Sequence, residues 1–283
     1  MKRKTLNCNG KLVCIDKPMV MGIVNLTPDS FYDGGTCRSE IDLLKRCEAI
    51  IAQGGDIIDV GAVSTRPGAQ ETNASEELRR LEWALACLRK HFPAEIISVD
   101  TYRANIAKAV VENYGVDIIN DISGGTLDVR MFETVASLNV PYVLTHIQGT
   151  PSNMQENPVY GNLMEDIISY FSENISRLRI LGVKDVIIDP GFGFGKTIAH
   201  NYEIVRRLKD LEIFDLPVLV GVSRKSMIYK ALEADAANAL NGTTVVNTLA
   251  LLGGANLLRV HDVKEAVECV KIIERYRASS HTM

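Results

Sequence analysis

The chain has 283 residues, of which 46% are hydrophobic and 23% charged, enough for a full core and suited to one α/β barrel of about 250 residues. A formal net charge of -4 excludes the basic surface that phosphate neutralisation on a nucleic acid requires. No apolar stretch follows Met1-Lys2-Arg3-Lys4 and none is long enough to cross a bilayer. Cys8, Cys14, Cys37, Cys47, Cys87 and Cys269 form no Cys-x-x-Cys pair. The expectation is a soluble cytoplasmic protein with free, buried thiols and no membrane or nucleic-acid partner.

Along the chain, Asn9-Gly10 first separates two alternating runs, Thr5-Cys8 and Lys11-Cys14, which predicts a hairpin over 5–14 lidding the bottom of the fold. Eight short apolar runs follow at intervals of about thirty residues: Val20-Leu26, Asp56-Val60, Glu95-Asp100, Asp117-Asn120, Pro141-Thr145, Asp185-Asp189, Pro217-Val222 and Asn256-Val260. Most are rich in Val and Ile on both faces, as buried parallel strands are. Between them lie amphipathic helical patterns. Leu78, Leu81, Leu85 and Leu88 share one face, as do Ile167, Ile168, Phe171, Ile175 and Leu178. Ser39-x-x-Asp42 and Asn73-x-x-Glu76 read as helix starts. Eight strand-helix repeats predict a (β/α)8 TIM barrel over 19–275 within a single domain of 1–283, with Ala278-Met283 as a frayed tail.

In such barrels the chemistry sits at the C-terminal ends of the strands. Those ends are Asn25, Asp59, Asp100, Asn120, His146, Asp189, Ser223 with Lys225, and Arg259 with His261. Any one of these polar residues could be a helix cap or turn residue. Eight on one rim make a site. Asp100, Asn120 and Asp189 suit the donor-rich edge of an amino-pyrimidine-like ring, because a carboxylate accepts two parallel N–H bonds. Lys225, Arg259 and His261 leave the seventh and eighth strands, where barrels often hold phosphate, and Asn25 could join oxygen ligands of a magnesium ion.

Two connections are unusually long, Thr27 to Ser39 and Gly61 to Asn73, and long loops in compact barrels are commonly functional lids. Arg66, beside Pro67-Gly68, is placed for an anion. Gly191-Phe-Gly-Phe-Gly-Lys196 is not a phosphate-binding P-loop, since Pro190 stands where that motif needs glycine. It reads as a strand exit whose glycines, Gly193 among them, let backbone approach a ligand, with Phe194 lining a pocket. Lys196 receives no phosphate role.

Together these segments resemble the dihydropteroate synthase family. The matching pieces are Met21-Gly-Ile-Val-Asn25-Leu-Thr-Pro-Asp-Ser-Phe31, Asp59-Val-Gly with Ser64-Thr-Arg-Pro-Gly68, Ser98-Val-Asp-Thr101 and Ile119-Asn-Asp-Ile122. Later come Asp189-Pro-Gly-Phe-Gly-Phe-Gly-Lys196, Ser223-Arg-Lys225 and Arg259-Val-His-Asp-Val263. The resemblance implies a transferase that joins 6-hydroxymethyl-7,8-dihydropterin diphosphate to p-aminobenzoate with Mg2+, is usually a homodimer and is inhibited by sulfonamides. It implies that Asp100, Asn120, Asp189 and Lys225 hold the pterin and that Asn25 and Asp33 lie by the metal. Thr65 and Arg66 would close over the leaving group, and Arg259 and His261 would bind phosphate oxygens. Phe31, Pro67, Phe194 and Ser226 would line the aminobenzoate pocket. Catalysis would then rest on Lys225, Arg259, His261, Arg66 and Asp33. The sequence departs from the family pattern at Ala62-Val63, where Gly-Glu is usual, and at Thr145, where a methionine commonly precedes the histidine. Two rival expectations share the barrel: the pterin-binding domain of a corrinoid-dependent methyltransferase, and a catalytically silent pterin-binding barrel.

Overall fold

Acidic residues set where the strands begin. Asp56 accepts a hydrogen bond from the backbone N–H of Val20 at 2.8 Å, Asp117 from that of Ile97 at 2.8 Å, and Asp185 from that of Asn7 at 3.2 Å. The repeated Asp-Ile/Val-Ile pattern therefore marks the lower rim, and each acid sits just outside its strand rather than inside it. The computed structural model describes residues 4–27, 39–63, 72–150, 154 and 158–279.

The strands are β1 (Lys4–Cys8), β2 (Lys11–Ile15), β3 (Met19–Asn25), β4 (Ile57–Gly61), β5 (Ile96–Asp100) and β6 (Ile118–Asp121), then β7 (Tyr142–Thr145), β8 (Val186–Asp189), β9 (Leu219–Val220) and β10 (Leu257–Val260). β1 and β2 pair antiparallel as the expected hairpin, with Asn9 and Gly10 at φ 49° and 86°. The other eight run parallel in the order β8-β7-β6-β5-β4-β3-β10-β9, and a bridge from Ile188 to Val218 closes β8 onto β9. This is the (β/α)8 barrel that the eight repeats predict. β9 is shorter than the run Pro217-Val222: Pro217 has no N–H to donate, and its carbonyl instead accepts from Ile188.

The helices are α1 (Glu40–Ala52), α2 (Ala74–His91), α3 (Ala104–Tyr114), α4 (Met131–Leu138) and α5 (Leu163–Ile180), then α6 (Ile198–Arg207), α7 (Ser226–Ala231), α8 (Leu240–Leu252) and α9 (Val263–Ser279). Ser39 and Asn73 cap α1 and α2 as the sequence indicates, accepting from the N–H groups of Asp42 and Glu76. α9 continues through Ser279, past the point where a frayed tail is expected. A third long connection, 146–162 between β7 and α5, was not singled out by the sequence reading.

Two apolar layers result. Outward strand residues such as Val24, Val60, Val99 and Ile119 pack on the helices. Inward residues of the lower halves, Met21, Ile57, Ile96, Ile118, Val143, Ile187, Leu219 and Leu257, fill the barrel and meet Leu6, Cys8 and Ile15 of the hairpin. The hairpin is thus the lid on the bottom. Cys8, Cys14, Cys47, Cys87 and Cys269 are free thiols, and Cys37 lies outside the described residues. Among the described residues no helix is long and apolar enough to cross a membrane.

Candidate active site

Strand side chains alternate between faces, so the residue two positions above each inward apolar residue also faces the barrel axis. Above Ile57 comes Asp59, above Ile118 Asn120, above Val143 Thr145, above Ile187 Asp189 and above Leu257 Arg259. Four positions above Ile96 lies Asp100, with Ser98 between. The polar rim is the upper continuation of the apolar plug, on the same face of the same strands.

Arg259 lies across this layer. Its Nε is 2.6 Å from Asp59 Oδ2 and its Nη2 is 2.7 Å from Asp100 Oδ2. Although burial works against its charge, the two carboxylates raise its pKa above the ordinary arginine value. Burial pushes the Asp100 carboxyl up to about 7, with Arg259 pulling it down and Asp59 pushing it further up. Asn120, buried, directs its amide toward both Asp59 oxygens at 3.4 and 3.5 Å. Asp59 is the residue whose importance the sequence reading missed. It appeared only as a strand end, yet it is fully buried and touches two other rim residues. Its place on the inward face, two above Ile57, was the available signal.

Lys225 and Asp189 form the second half. Lys225 donates to the carbonyl of Phe192 at 2.6 Å and lies 4.7 Å over the Phe194 ring. Burial lowers its pKa to about 8, against the pull of Asp189. Asp189, raised by burial, accepts at Oδ1 from Gly191 N–H at 2.8 Å. Gly191 has φ 71°, and a Cβ there would fall 1.9 Å from the carbonyl oxygen of His146. The glycines of this exit permit close backbone approach to the end of β7. Gly193 and Phe194 border Lys225, and Ser226 follows it as the first residue of α7. Thr145 is buried, and its hydroxyl has no hydrogen-bond partner among the described residues; the same holds for Ser98.

His261 is set by its backbone. Its N–H donates to Ser223 Oγ at 3.2 Å, and its carbonyl accepts from Arg46 Nη2 at 2.8 Å. Arg46 also donates twice to Ile23 O, so this α1 side chain ties β3 to the exit of β10. The sequence reading missed Arg46, although it lies three residues after the buried Leu43 and four before the buried Ile50. Arg224 holds Asp262 through two bonds of 2.7 and 2.8 Å, which joins the exit carrying Lys225 to that carrying His261. Asn25 ends β3, with its Oδ1 facing across Gly61 toward Asp100. An amide oxygen beside a carboxylate is the hard-oxygen chemistry that suits Mg2+.

The structure therefore brings Asn25, Asp100, Asn120, Asp189, Gly193, Phe194, Lys225, Ser226, Arg259 and His261 to one end of the barrel. Phe31, Asp33, Thr65, Arg66 and Pro67 lie outside the described residues.

Fold and rim define a (β/α)8 barrel with a buried layer of carboxylates, an amide and basic side chains at the C-terminal ends of its strands. The family described as pterin binding enzyme matches residues 21–261. Dihydropteroate synthase of Escherichia coli (strain K12) is 41% identical over 271 residues, covering 95% of each chain. That of Synechocystis sp. is 38% identical, with 90% and 89% covered. The crystal structure of the Yersinia pestis dihydropteroate synthase with a sulfonamide drug superposes with a TM-score of 0.92 at 39% identity, over 97% of this chain and all of that one. The Xanthomonas albilineans enzyme with 4-aminobenzoic acid gives 0.88 at 34% identity, over 98% and 99%. The chain belongs to the pterin-binding enzyme family, as a dihydropteroate synthase.

Proposed function

We propose that this synthase condenses 6-hydroxymethyl-7,8-dihydropterin diphosphate with p-aminobenzoate through a dissociative substitution. The observation that supports it is the convergence of Asp100, Asn120, Asp189, Lys225 and Arg259 on the interior face directly above the apolar plug. Carboxylates and an amide meet the ring's N–H edge, and Lys225 donates to its acceptor atoms. The bond between the exocyclic methylene and the diphosphate oxygen breaks, with its electron pair leaving on pyrophosphate. Arg259 and His261 bind the phosphate oxygens, and the dihydropterin ring shares the charge left on the methylene. The neutral arylamine nitrogen then attacks, its bond to carbon forms, and its extra proton leaves to water. Positioning suffices for this step, so no Ser-His-Asp triad or nucleophilic cysteine is needed.

Asn25, with Asp33 beyond the described residues, would hold Mg2+, which would supply further charge neutralisation on the leaving group. Phe31, Pro67, Phe194 and Ser226 form the p-aminobenzoate pocket on this reading, and Thr65 and Arg66 close over the pyrophosphate. The protein works in the cytoplasm as a homodimer. A dimer through α8 and α9 is supported by an α8 that carries no charged side chain, with Val245, Leu249 and Leu252 about half exposed in one stripe beside Ile272 and Tyr276.

The test is pyrophosphate release by purified protein with Mg2+, given the pterin diphosphate with and without p-aminobenzoate. Release requiring both substrates, and lost on Lys225→Ala, is expected. Binding of the pterin without any release would instead mean a silent barrel.

A further inference from the structure

A buried lysine stands behind the pocket with no carboxylate in hydrogen-bond contact. Lys196 is 3% exposed, and its Nζ faces three acceptors: His146 Nδ1 at 2.9 Å, Phe194 O at 3.0 Å and His146 O at 3.2 Å. An ammonium has three N–H donors and three acceptors surround it, so the group is saturated here and has no bond left for a ligand. His146 is itself enclosed by Tyr160, Tyr170 and Phe171 at ring distances of 6.1, 4.9 and 6.5 Å, which keeps it from moving to follow the lysine.

The two ends of this contact are significant. One end is the exit of β7. The other is the carbonyl of Phe194, in the glycine-rich turn that leaves β8. The turn is held internally by Phe194 N–H donating to Gly191 O at 3.1 Å, and to α6 by Gly193 N–H donating to Asn201 Oδ1 at 2.8 Å, but neither bond ties it to β7. Gly191 and Gly195 pack their bare backbone on the 146–148 segment, where a Cβ would come within 1.9 Å of His146 O and 2.4 Å of Gln148 O. On its other side the same turn presents the Phe192 carbonyl and the Phe194 ring to Lys225. One lysine therefore grips the turn from behind while the other rests on its front. A further bond, from Tyr160 OH to Gly195 O at 2.8 Å, braces the end of the turn, while Lys196 ties the Phe194 carbonyl to His146 at the end of β7.

We infer that Lys196 is a positioning residue for pterin recognition: it fixes the Phe192–Phe194 backbone against β7, and thereby sets where Lys225 presents its ammonium to the ring. The inference rests on Lys225 contacting the pterin, as proposed above. It goes beyond that reading by assigning function to a residue that touches neither substrate. Burial lowers the Lys196 pKa to about 7 despite the pull of Asp189, so its charge works against stability and a lysine kept there for folding alone would be a poor choice.

The test uses Lys196→Met, which keeps the stem and removes the donors, with Lys196→Gln as a second variant that keeps an amide donor. Unfolding temperature, kcat, KM for the pterin diphosphate and the pterin dissociation constant by calorimetry are measured for each. For Lys196→Met the unfolding temperature should hold or rise. KM and the dissociation constant should rise by about tenfold or more, with kcat changing far less. Lys196→Gln should fall between Lys196→Met and the parent. In a Lys225→Ala background, Lys196→Met should change pterin affinity by less than about twofold, because the residue it positions is gone. Unchanged affinity in a folded Lys196→Met protein overturns the inference, as does an equal loss in the Lys225→Ala background, or loss of the fold in both Lys196 variants. Failure of the parent protein to bind the pterin would instead count against the proposed function itself.

Discussion

Replacing Arg259 with leucine should expose the electrostatic cost of the rim. Arg259 makes two charge-assisted bonds, of 2.6 Å to Asp59 and 2.7 Å to Asp100. Without it, a fully buried Asp59 faces Asp100 with only the distant Asn120 amide as donor. Removing one partner of a buried pair costs about 3–5 kcal/mol. The Arg259 and Asp100 side chains keep 20% and 19% of their exposure, so the lower end, about 3 kcal/mol, applies. With a urea slope of about 3 kcal/mol/M for a chain of this length, the unfolding midpoint should fall by about 1 M. The sign with pH follows from Asp100, whose pKa is already raised to about 7 and rises further when Arg259 is removed. An acid whose folded-state pKa is raised loses stability as pH climbs from its unfolded value through the folded one. The Asp100 share of the penalty should therefore be absent near pH 5 and appear only as pH climbs past about 7. Adding Asp59→Asn to Arg259→Leu should recover about 2 kcal/mol, because the uncompensated charge is gone. A midpoint within about 0.2 M of the parent at pH 8, or no recovery in the double variant, would refute the bridging role.

Pterin affinity should peak near neutral pH. It should fall on the acid side as Asp100 takes up its proton around 7, and on the alkaline side as Lys225 loses its own around 8; calorimetry across pH 5.5–9.5 checks both limbs. Gly191→Ala forces a Cβ to within 1.9 Å of the His146 carbonyl at φ 71°, and should cost about 2 kcal/mol or more of stability by urea titration, together with pterin affinity. Sulfonamides should compete with p-aminobenzoate, and inhibition that excess p-aminobenzoate fails to relieve would count against the assigned pocket. Val245→Asp with Leu249→Glu should convert the proposed homodimer to monomer in sedimentation; a dimer mass that persists would move the interface elsewhere.

The barrel was legible because its signals are local and repeated. Asp56, Asp117 and Asp185 mark three lower strand ends with the same chemistry, and the Val/Ile runs between amphipathic helices leave little choice of topology. The rim was legible as a set of strand ends, but its internal pairing was not. Nothing in Asp59-Val-Gly says that its carboxylate meets an arginine two hundred positions later, since that contact depends on how the sheet closes. Lys196 was legible only negatively, as a lysine outside a true P-loop. Its partners come from β7 and from its own turn, and no local pattern pairs Lys196 with His146. Arg46 could have been noticed on the buried stripe of α1, where a charged side chain demands a backbone partner.

The charges around the pocket suggest why a neutral ring and a diphosphate are handled by different parts of the molecule. Asp59, Asp100 and Asp189 contribute three carboxylates, and Arg259, Lys225 and the saturated Lys196 three bases. An amino-pyrimidine ring can enter such a balanced layer by exchanging hydrogen bonds, with no new charge to bury. A diphosphate cannot, because each oxygen it takes from Arg259 loosens the hold of that guanidinium on Asp100. The extra positive charge has to come from outside the interior layer. The candidates are Arg66 on the β4–α2 connection, His261 at the exit of β10 and a magnesium ion at Asn25 and Asp33. Loss of the ring contacts should therefore weaken binding of pterin and of pterin diphosphate alike. Loss of Arg66 should weaken only the diphosphate, and equal effects of Arg66→Ala on the two ligands would sink this division of labour.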